Sequence, residues 1–291
     1  MIIVSLTTIP ERLEKGLPRK CIESILKQTV QPDIIVVNIP SVSRKNKPYS
    51  QTLANELSSL NPNPSLLFGS IKTIIKVQYG IKDLGPITKL IPTLNLISSM
   101  RQNMEIHPLI ILVDDDCIYD SQMIENLVKF KTDTDEMAIG QAGRKNIKNV
   151  LEFFSPESNI TDDVVYVDIL EAYAGVLYDY QLFKDQEQDF NEYVMSLPSY
   201  VLNADDIIIA SWVKKNGKKL CKIGKRYPNV VLQDAKGTPE LYKDNLFGGN
   251  NDKSYDFLED YYERRKRELQ FKKLLEKSHD DTFIKFAGQG R

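Results

Sequence analysis

Two groups of acidic residues are the parts of the sequence best suited to chemistry. One is the triplet Asp114, Asp115 and Asp116 in LIILVDDDCIYD, which follows a run of apolar residues, and the other is the pair Asp205 and Asp206 in NADDIIIASWVKKNG. Adjacent carboxylates repel one another, and Mg²⁺ or Mn²⁺ relieves the repulsion because these ions prefer oxygen ligands. The triplet therefore indicates a metal site that can also bridge a diphosphate. The competing interpretation is a solvated acidic turn that caps the next helix.

The segments before the triplet alternate between strand and helix. Apolar runs predict strands over 2–8, 33–40 and 109–113, and the alternating pattern of 71–78 predicts a further strand. Helical spacing predicts helices over 18–29, 51–60 and 85–100, the last kinked at Pro92, and a further helix over 121–130 after the triplet, with Ser121 as N-cap. Continuous apolar strands are typical of a sheet covered on both faces, so we expect an α/β fold with a mainly parallel sheet. In open α/β sheets ligands bind outside the carboxyl ends of the strands, where the triplet lies.

The second half of the chain predicts fewer elements. Residues 164–178 indicate a strand, a turn and a second strand, and 205–217 indicate a helix with an acidic start and a basic end. Residues 255–278 form a charged amphipathic pattern. We predict one α/β domain over 1–250 and a helical tail over 251–291.

Composition excludes several classes of protein. The 291 residues are 42% hydrophobic and 27% charged, as in an ordinary soluble globular protein. The formal net charge of -2 gives no electrostatic case for binding nucleic acid. No apolar run approaches the roughly 18 residues of a membrane span, although the basic RRKR of the tail leaves peripheral membrane contact open beside a solvated helix. Three separated cysteines indicate reduced thiols and a cytoplasmic setting.

A resemblance to a known family follows from these motifs. IILVDDDCIYD resembles the DXD region of family-2-like GT-A glycosyltransferases, which use nucleotide-sugar donors. VSLTTIPERL (4–13), DLGPITKLIPTL (83–94), EAYAGVLY (171–178) and NADDIIIASWVKKNGKK (203–219) are similar to further regions of these enzymes in the same order. The resemblance covers residues 2–232 and implies a GT-A, Rossmann-like fold with a C-terminal helical appendage.

The resemblance also implies roles for the triplet. Asp114 would contact the ribose of the donor, and Asp116 would bind the metal, Mn²⁺ or Mg²⁺. Asp115 occupies the variable position of the motif, where it either assists the donor site or tunes its charge. His279 is the only histidine placed to act as a further metal ligand near the C-terminus.

Other donor-side residues follow from the same resemblance. Thr7, Thr8 and Ile9 would line the nucleotide base after the first strand. Arg12 would approach the diphosphate, because a guanidinium fork matches phosphate oxygens; the alternative is a surface ion pair with a neighbouring glutamate. Lys89 would serve a phosphate or nucleotide, and the alternative is a solvated helix lysine.

On the acceptor side, sugar transfer with inversion needs a base that takes the proton of the acceptor hydroxyl. Asp206 is the preferred base and Asp205 the second candidate. The alternative is that Asp205, or the pair, only caps a helix, since carboxylates are stabilised at helix N-termini.

The sequence therefore predicts a metal-dependent hexosyl- or pentosyltransferase. The donor would be a nucleotide sugar, UDP-linked by the habit of the family, and the acceptor a hydroxyl of a glycan or glycoprotein. One alternative is a haloacid-dehalogenase-like phosphohydrolase with Asp114 as nucleophile. In that family the motif ends the first strand, whereas three strand-like segments precede it here, and Ile118 stands where Thr or Val is expected. The other alternative is a non-catalytic sugar-binding protein.

Overall fold

The computed structural model describes residues 1–61, 73–101, 107–147, 150–153, 164–224, 230–232, 235, 251 and 253–261. The strands are β1 Ile2–Thr7, β2 Ile34–Pro40, β3 Ile74–Ile81, β4 Leu109–Leu112, β5 Cys117–Ile118, β6 Ala138–Gly140, β7 Gly143–Ile147, β8 Val150–Phe153, β9 Val165–Val167, β10 Ile169–Leu170, β11 Val176–Asp179, β12 Leu220–Lys222 and β13 Val230–Val231. The helices are α1 Pro10–Glu14, α2 Leu17–Ile25, α3 Gln51–Ser58, α4 Ile91–Arg101, α5 Met123–Thr134, α6 Glu187–Met195 and α7 Asp205–Lys215.

A central sheet of eight strands has the order β3-β2-β1-β4-β11-β6-β12-β9. Four of its seven neighbouring pairs are parallel, including β3-β2, β2-β1 and β1-β4, so the predicted mainly parallel α/β class is confirmed. The chain builds outwards from β1 to β2 and β3 and then returns to the other side of β1 with β4. Such a reversal of strand order opens a crevice at the carboxyl ends of the two strands, where ligands bind in open α/β sheets.

Both faces of the sheet are covered, which explains the uninterrupted apolar strands. Ile3 packs into one hydrophobic cluster with Ile110, whereas the next residue, Val4, packs into a second cluster with Ile111. Val4 lies in register with Ile111 and is fully buried, as expected for a strand between two layers of helices.

Two local predictions are wrong. The helix expected over 85–100 is a 3₁₀ turn over Ile87–Lys89 followed by α4, and Pro92 lies in the first turn of α4 instead of kinking it. Proline is tolerated there because the first helical N–H groups have no partner within the helix. Helix α5 begins after Gln122 without a side-chain cap, so Ser121 is not its N-cap.

The region predicted as strand, turn and strand over 164–178 is divided between two sheets. Strand β9 is the edge of the central sheet, while β10 joins a three-stranded sheet of order β10-β7-β8. Strand β11 returns to the central sheet between β4 and β6 and runs antiparallel to both. The residues that immediately precede β11 therefore lie at the carboxyl end of β4.

Residues 253–261 are helical and pack against the hydrophobic cluster that contains Tyr193 of α6 and Trp212 of α7. Trp212 is almost fully buried, and its indole N–H donates to the Leu182 carbonyl at 3.1 Å. Tyr261 lies 5.8 Å from Tyr193 between ring centroids. The remainder of the tail helix predicted over 255–278 falls outside the described residues. Within the described part of the chain, no helix combines the length and apolar character needed to span a membrane.

Candidate active site

The acid triplet follows β4 at the crevice between β1 and β4, and its three carboxylates have different surroundings. Asp114 accepts a hydrogen bond from the Lys89 ammonium at 2.6 Å and has 32% of its side chain exposed. Asp115 is almost fully buried; it accepts from the Thr8 hydroxyl at 2.5 Å and from Arg12 Nη1 at 2.6 Å. Asp116 lies 2.9 Å from Arg12 Nη2. The middle aspartate therefore anchors the loop after β1, while the outer two are the more open.

Lys89 joins the triplet to the acidic pair. Its ammonium lies 2.6 Å from Asp114 Oδ1 and 3.0 Å from Asp205 Oδ2, and only 5% of its side chain is exposed. Burial alone disfavours the charged ammonium, but Asp114 and Asp205 outweigh burial and raise the pKa of Lys89 well above its usual value. In the same way the Lys89 charge outweighs burial and lowers the pKa of Asp114. Lys89 is therefore a buried, charged link, and the solvated helix lysine considered as its alternative is wrong.

The backbone of Lys89 is fixed by a polar group that the sequence did not predict. Its carbonyl accepts from the Ser5 hydroxyl at 2.5 Å and lies 3.3 Å from the Asn38 amide nitrogen, which donates to it. Ser5 and Asn38 are side chains of β1 and β2, and Thr93 of α4 closes the group at 2.7 Å from Ser5. These bonds hold the lysine over the end of the sheet.

The acidic pair stands at the start of α7. The helix begins at Asp205, and its N-cap is Ala204 without a side-chain hydrogen bond, so the alternative that Asp205 is the N-cap is wrong. Asp206 Oδ1 accepts from the backbone N–H of Ala172 at 3.2 Å. Ala172 belongs to the 3₁₀ turn over Ala172–Ala174 that precedes β11, so the antiparallel strand brings this turn to the pair.

The surroundings of Asp206 change its acidity. As a residue Asp206 is half-buried, but its carboxyl group lies among protein atoms. This burial, together with the neighbouring Asp205 carboxylate, raises the pKa of Asp206 well above its usual value, although Lys89 acts in the opposite direction. When ionised, a carboxylate whose pKa is raised takes up a proton more readily than an ordinary aspartate, as a general base requires.

Asp116 is perturbed in the same direction. Burial first, and then the charges of Asp115 and Asp114, raise its pKa to about 6, while Arg12 opposes the rise. Five carboxylates, Asp114–Asp116 with Asp205 and Asp206, thus share this region with two ion-paired cations, Arg12 and Lys89. The surplus of negative charge favours the binding of a further cation.

The loop after β1 contains the other predicted donor-side residues. The Thr7 hydroxyl donates to the Asn38 carbonyl at 2.8 Å, and Ile9 is the extended residue before α1. The Thr8 carbonyl accepts from the Tyr49 hydroxyl at 3.0 Å. The loop is therefore held against β2 and the segment that follows it, beside the triplet.

Two further interactions at the site were not predicted. The backbone N–H of Asp114 donates to the Tyr119 hydroxyl at 2.8 Å, which fixes the start of the triplet. Glu171, next to Ala172, pairs with Arg144 at 2.7 Å. The LVDDDCIYD motif already contains the tyrosine, but the Glu171–Arg144 pair depends on the packing of β7 beside β10, which no local pattern indicates.

The turn before Lys89 requires a glycine. Gly85 has a φ of 76°, and a Cβ built on it would overlap the Arg44 guanidinium and lie 2.8 Å from the Leu202 carbonyl. Asp83 accepts from the backbone N–H groups of Gly85 at 2.7 Å and Arg44 at 2.8 Å. This turn therefore packs closely against the segment that leads into α7.

We predict that Gly85→Ala lowers the free energy of unfolding by more than Gly80→Ala does. Gly80 has a φ of 86°, and a Cβ at this position would have no neighbour within 4 Å, so its substitution measures backbone strain alone, about 1–3 kcal/mol. Urea unfolding of both variants gives the difference, which reports the close approach of Arg44 and Leu202. Equal losses in the two variants would contradict the close packing of this turn.

The fit of a metal to this site follows from the chemistry of its donors. Carboxylate oxygens suit Mg²⁺ or Mn²⁺, and Mg²⁺ commonly takes one or two carboxylates and completes its shell with water and substrate phosphates. Within the described residues, no three His, Cys, Asp or Glu side chains are grouped so as to hold a metal ion by themselves. A cation at Asp116 would therefore need further oxygen ligands, such as those of water or of a bound phosphate. His279, the other predicted metal ligand, lies outside the described residues.

No protein-family model matches the chain. No curated protein matches it either. Among solved structures, the crystal structure of S. aureus TarS 1-349 aligns with a TM-score of 0.48 and 14% identity, over 83% of this chain and 67% of that one. TarS 1-349 in complex with UDP-GlcNAc aligns with a TM-score of 0.48 and 15% identity, over 83% and 60%. The complex with UDP aligns with a TM-score of 0.46 and 16% identity, over 78% and 59%. The alignments thus span less than two thirds of both ligand-bound chains.

Proposed function

We propose that this protein is a metal-dependent GT-A glycosyltransferase that moves a sugar from a nucleotide sugar to an acceptor hydroxyl. The observation that carries the proposal is that Lys89 forms ion pairs with both the acid triplet, at Asp114, and the acidic pair, at Asp205. Both groups of carboxylates therefore lie together at the crevice between β1 and β4. One group of carboxylates suits the cation and diphosphate of a donor, and the other supplies a base. The sequence resemblance to DXD-containing enzymes supports the same assignment.

In the proposed reaction the acceptor oxygen attacks the anomeric carbon of the donor. The new C–O bond forms as the bond between that carbon and the diphosphate oxygen breaks, and the hydroxyl proton passes to the carboxylate of Asp206. The backbone N–H of Ala172 orients that carboxylate through Oδ1. Direct displacement with one base gives inversion at the anomeric carbon.

On the donor side, Asp116 would hold Mn²⁺ or Mg²⁺, which when bound acts as a Lewis acid towards the leaving diphosphate. Asp114 would accept from the ribose hydroxyls, and Thr7, Thr8 and Ile9 would face the base. Arg12 would donate its guanidinium fork to phosphate oxygens. We assign the donor to UDP-sugars and the acceptor to a glycan or glycoprotein, with transfer of a hexose or pentose.

We predict that a UDP-sugar and Mn²⁺ together raise the melting temperature, whereas either alone raises it less. At a ligand concentration 100 times the dissociation constant, binding stabilises a folded protein by about 2.7 kcal/mol, which corresponds to a shift of several degrees. A thermal-shift screen of UDP- and GDP-sugars with and without Mn²⁺ measures this. EDTA should remove the Mn²⁺-dependent part of the shift and abolish donor hydrolysis.

The variant Asp116→Asn separates the metal from the nucleotide in this screen. It should lose the Mn²⁺-dependent part of the shift, while Asp133→Asn, which changes an exposed aspartate of α5, should retain it. Transfer that continues unchanged in EDTA would show that the reaction does not need the metal. No shift with any nucleotide sugar would contradict the proposed donor class.

A further inference from the structure

Arg12 is paired with Asp116, the carboxylate that the proposed function gives to the metal, and with the neighbouring Asp115. Each of its two terminal nitrogens contacts a different carboxylate: Nη1 lies 2.6 Å from Asp115 Oδ1, and Nη2 lies 2.9 Å from Asp116 Oδ2. Only 16% of the Arg12 side chain is exposed. A divalent cation that approaches Asp116 would therefore meet a guanidinium already paired with it.

The two contacts of Arg12 differ in how firmly they are held. Asp115 is 4% exposed, and its second oxygen accepts from Thr8 at 2.5 Å, so that carboxylate is fixed to the loop after β1. Asp116 is 15% exposed, and Cys117 Sγ lies 3.8 Å from its other oxygen. The Asp116 contact lies on the more open side of the triplet and can separate while the Asp115 contact remains.

The position of Arg12 on the chain permits such a change of partner. Helix α1 has five residues, Pro10–Glu14, and it starts directly after the extended residue Ile9. Arg12 is thus tied at its backbone beside the carboxyl end of β1, and its long side chain reaches Asp116 from there. A diphosphate placed at that end of the sheet offers oxygens that match the guanidinium fork better than one carboxylate oxygen does.

We propose that Arg12 is an internal counter-cation that competes with the divalent metal for Asp116 until the diphosphate of the donor draws its guanidinium away. This inference rests on the proposed function and concerns the order in which that site is loaded. Metal without nucleotide binds weakly, because Arg12 already neutralises Asp116. Nucleotide and metal then strengthen each other by the same factor, as linkage requires.

The test is isothermal titration of Mn²⁺ into the full chain, with and without UDP, for the wild type, Arg12→Gln and Arg12→Lys. We expect Arg12→Gln to bind Mn²⁺ in the absence of UDP more tightly than the wild type, by about 5- to 150-fold, the usual range of a coupling between sites. The gain in Mn²⁺ affinity caused by UDP should be smaller in this variant than in the wild type. Arg19→Gln, which removes a charge from α2 outside the triplet, should behave as the wild type.

A structural ion pair and a competing cation give opposite results. If Arg12 only holds the triplet in place, Arg12→Gln binds Mn²⁺ as weakly as the wild type or more weakly, and the proposal is overturned. Arg12→Lys keeps a cation that can stay on the fixed Asp115 but loses the second arm of the fork, so it should also bind Mn²⁺ more tightly than the wild type. Wild-type or lower affinity in Arg12→Lys overturns the proposal even if Arg12→Gln does not fold.

The outcomes also separate this inference from the proposed function. Normal binding of Mn²⁺ with UDP by the wild type, together with unchanged Mn²⁺ affinity in both Arg12 variants, overturns the role of Arg12 alone. Failure of the wild type and of folded Arg12 variants to bind either ligand overturns both.

Discussion

Asp206→Asn is expected to slow sugar transfer by about 10²- to 10⁴-fold, the usual contribution of a general base. Asparagine has nearly the same shape and can still accept from the Ala172 N–H, but it cannot take the proton of the acceptor hydroxyl. Donor binding, measured by thermal shift, should stay close to that of the wild type. Initial rates of transfer measure the loss, with Asp133→Asn as a control for the same change on the exposed face of α5.

The pH dependence gives an independent check on this assignment. The base acts when ionised, and burial with Asp205 raises its pKa, so the wild-type transfer rate should fall as the pH drops through that pKa and rise above it. The residual activity of Asp206→Asn should lack this dependence. A variant that retains a rate within a few-fold of the wild type would assign the base elsewhere, with Asp205 as the next candidate.

Lys89→Met is expected to lower the free energy of unfolding by about 3–5 kcal/mol, the cost of removing one partner from a buried ion pair. Most of this effect comes from Asp205, whose side chain is only 10% exposed. The side chain of Asp114 is 32% exposed, so water partly replaces the lost interaction of its charge with Lys89. Methionine keeps much of the volume of lysine, so the loss reports charge and not a cavity. Guanidinium unfolding at neutral pH, followed by circular dichroism, measures the change.

Lys76→Met is the matched control for the lysine. Lys76 is exposed on β3, and surface substitutions of this kind usually change stability by less than about 0.5 kcal/mol. A loss in Lys89→Met no larger than that of Lys76→Met would show that the two carboxylates do not depend on the ammonium.

The central part of the fold could be predicted because its physical cause is local. Strands β1, β2 and β4 bury both faces, and residues such as Val4 and Ile111 therefore give apolar runs that periodicity detects. Helix α6 was not predicted, because its few apolar residues are buried only by contact with distant aromatics; Phe190, for example, lies 5.0 Å from the ring of Trp212. The 3₁₀ turn before α4 follows Gly85, whose positive φ the sequence pattern of 85–100 does not indicate.

The candidate site, like the fold, could be predicted from the sequence only in part. The aspartates could be identified because acidic groups next to apolar runs are visible in the sequence. Their counter-ions could not be identified, since Arg12 and Asp115 are 103 positions apart and meet only because β1 and β4 are neighbours. Strand order depends on the connections between elements and not on periodicity. The ion pairs that join Asp114 to Asp205 through Lys89 could therefore not be predicted from a sequence motif.

Strand β11 runs antiparallel to β4, with Val176 beside Leu112. The turn that precedes β11 therefore lies at the carboxyl end of β4. On one side of this end of β4, strands β1 to β4 are joined by consecutive βα units, whereas on the other side the chain returns antiparallel in β11. Substitutions in the turn Ala172–Ala174, which precedes β11, can accordingly change this side of the site without changing the register of β4 on β1. Under the proposed function, such changes would alter which acceptor is used while the donor stays the same.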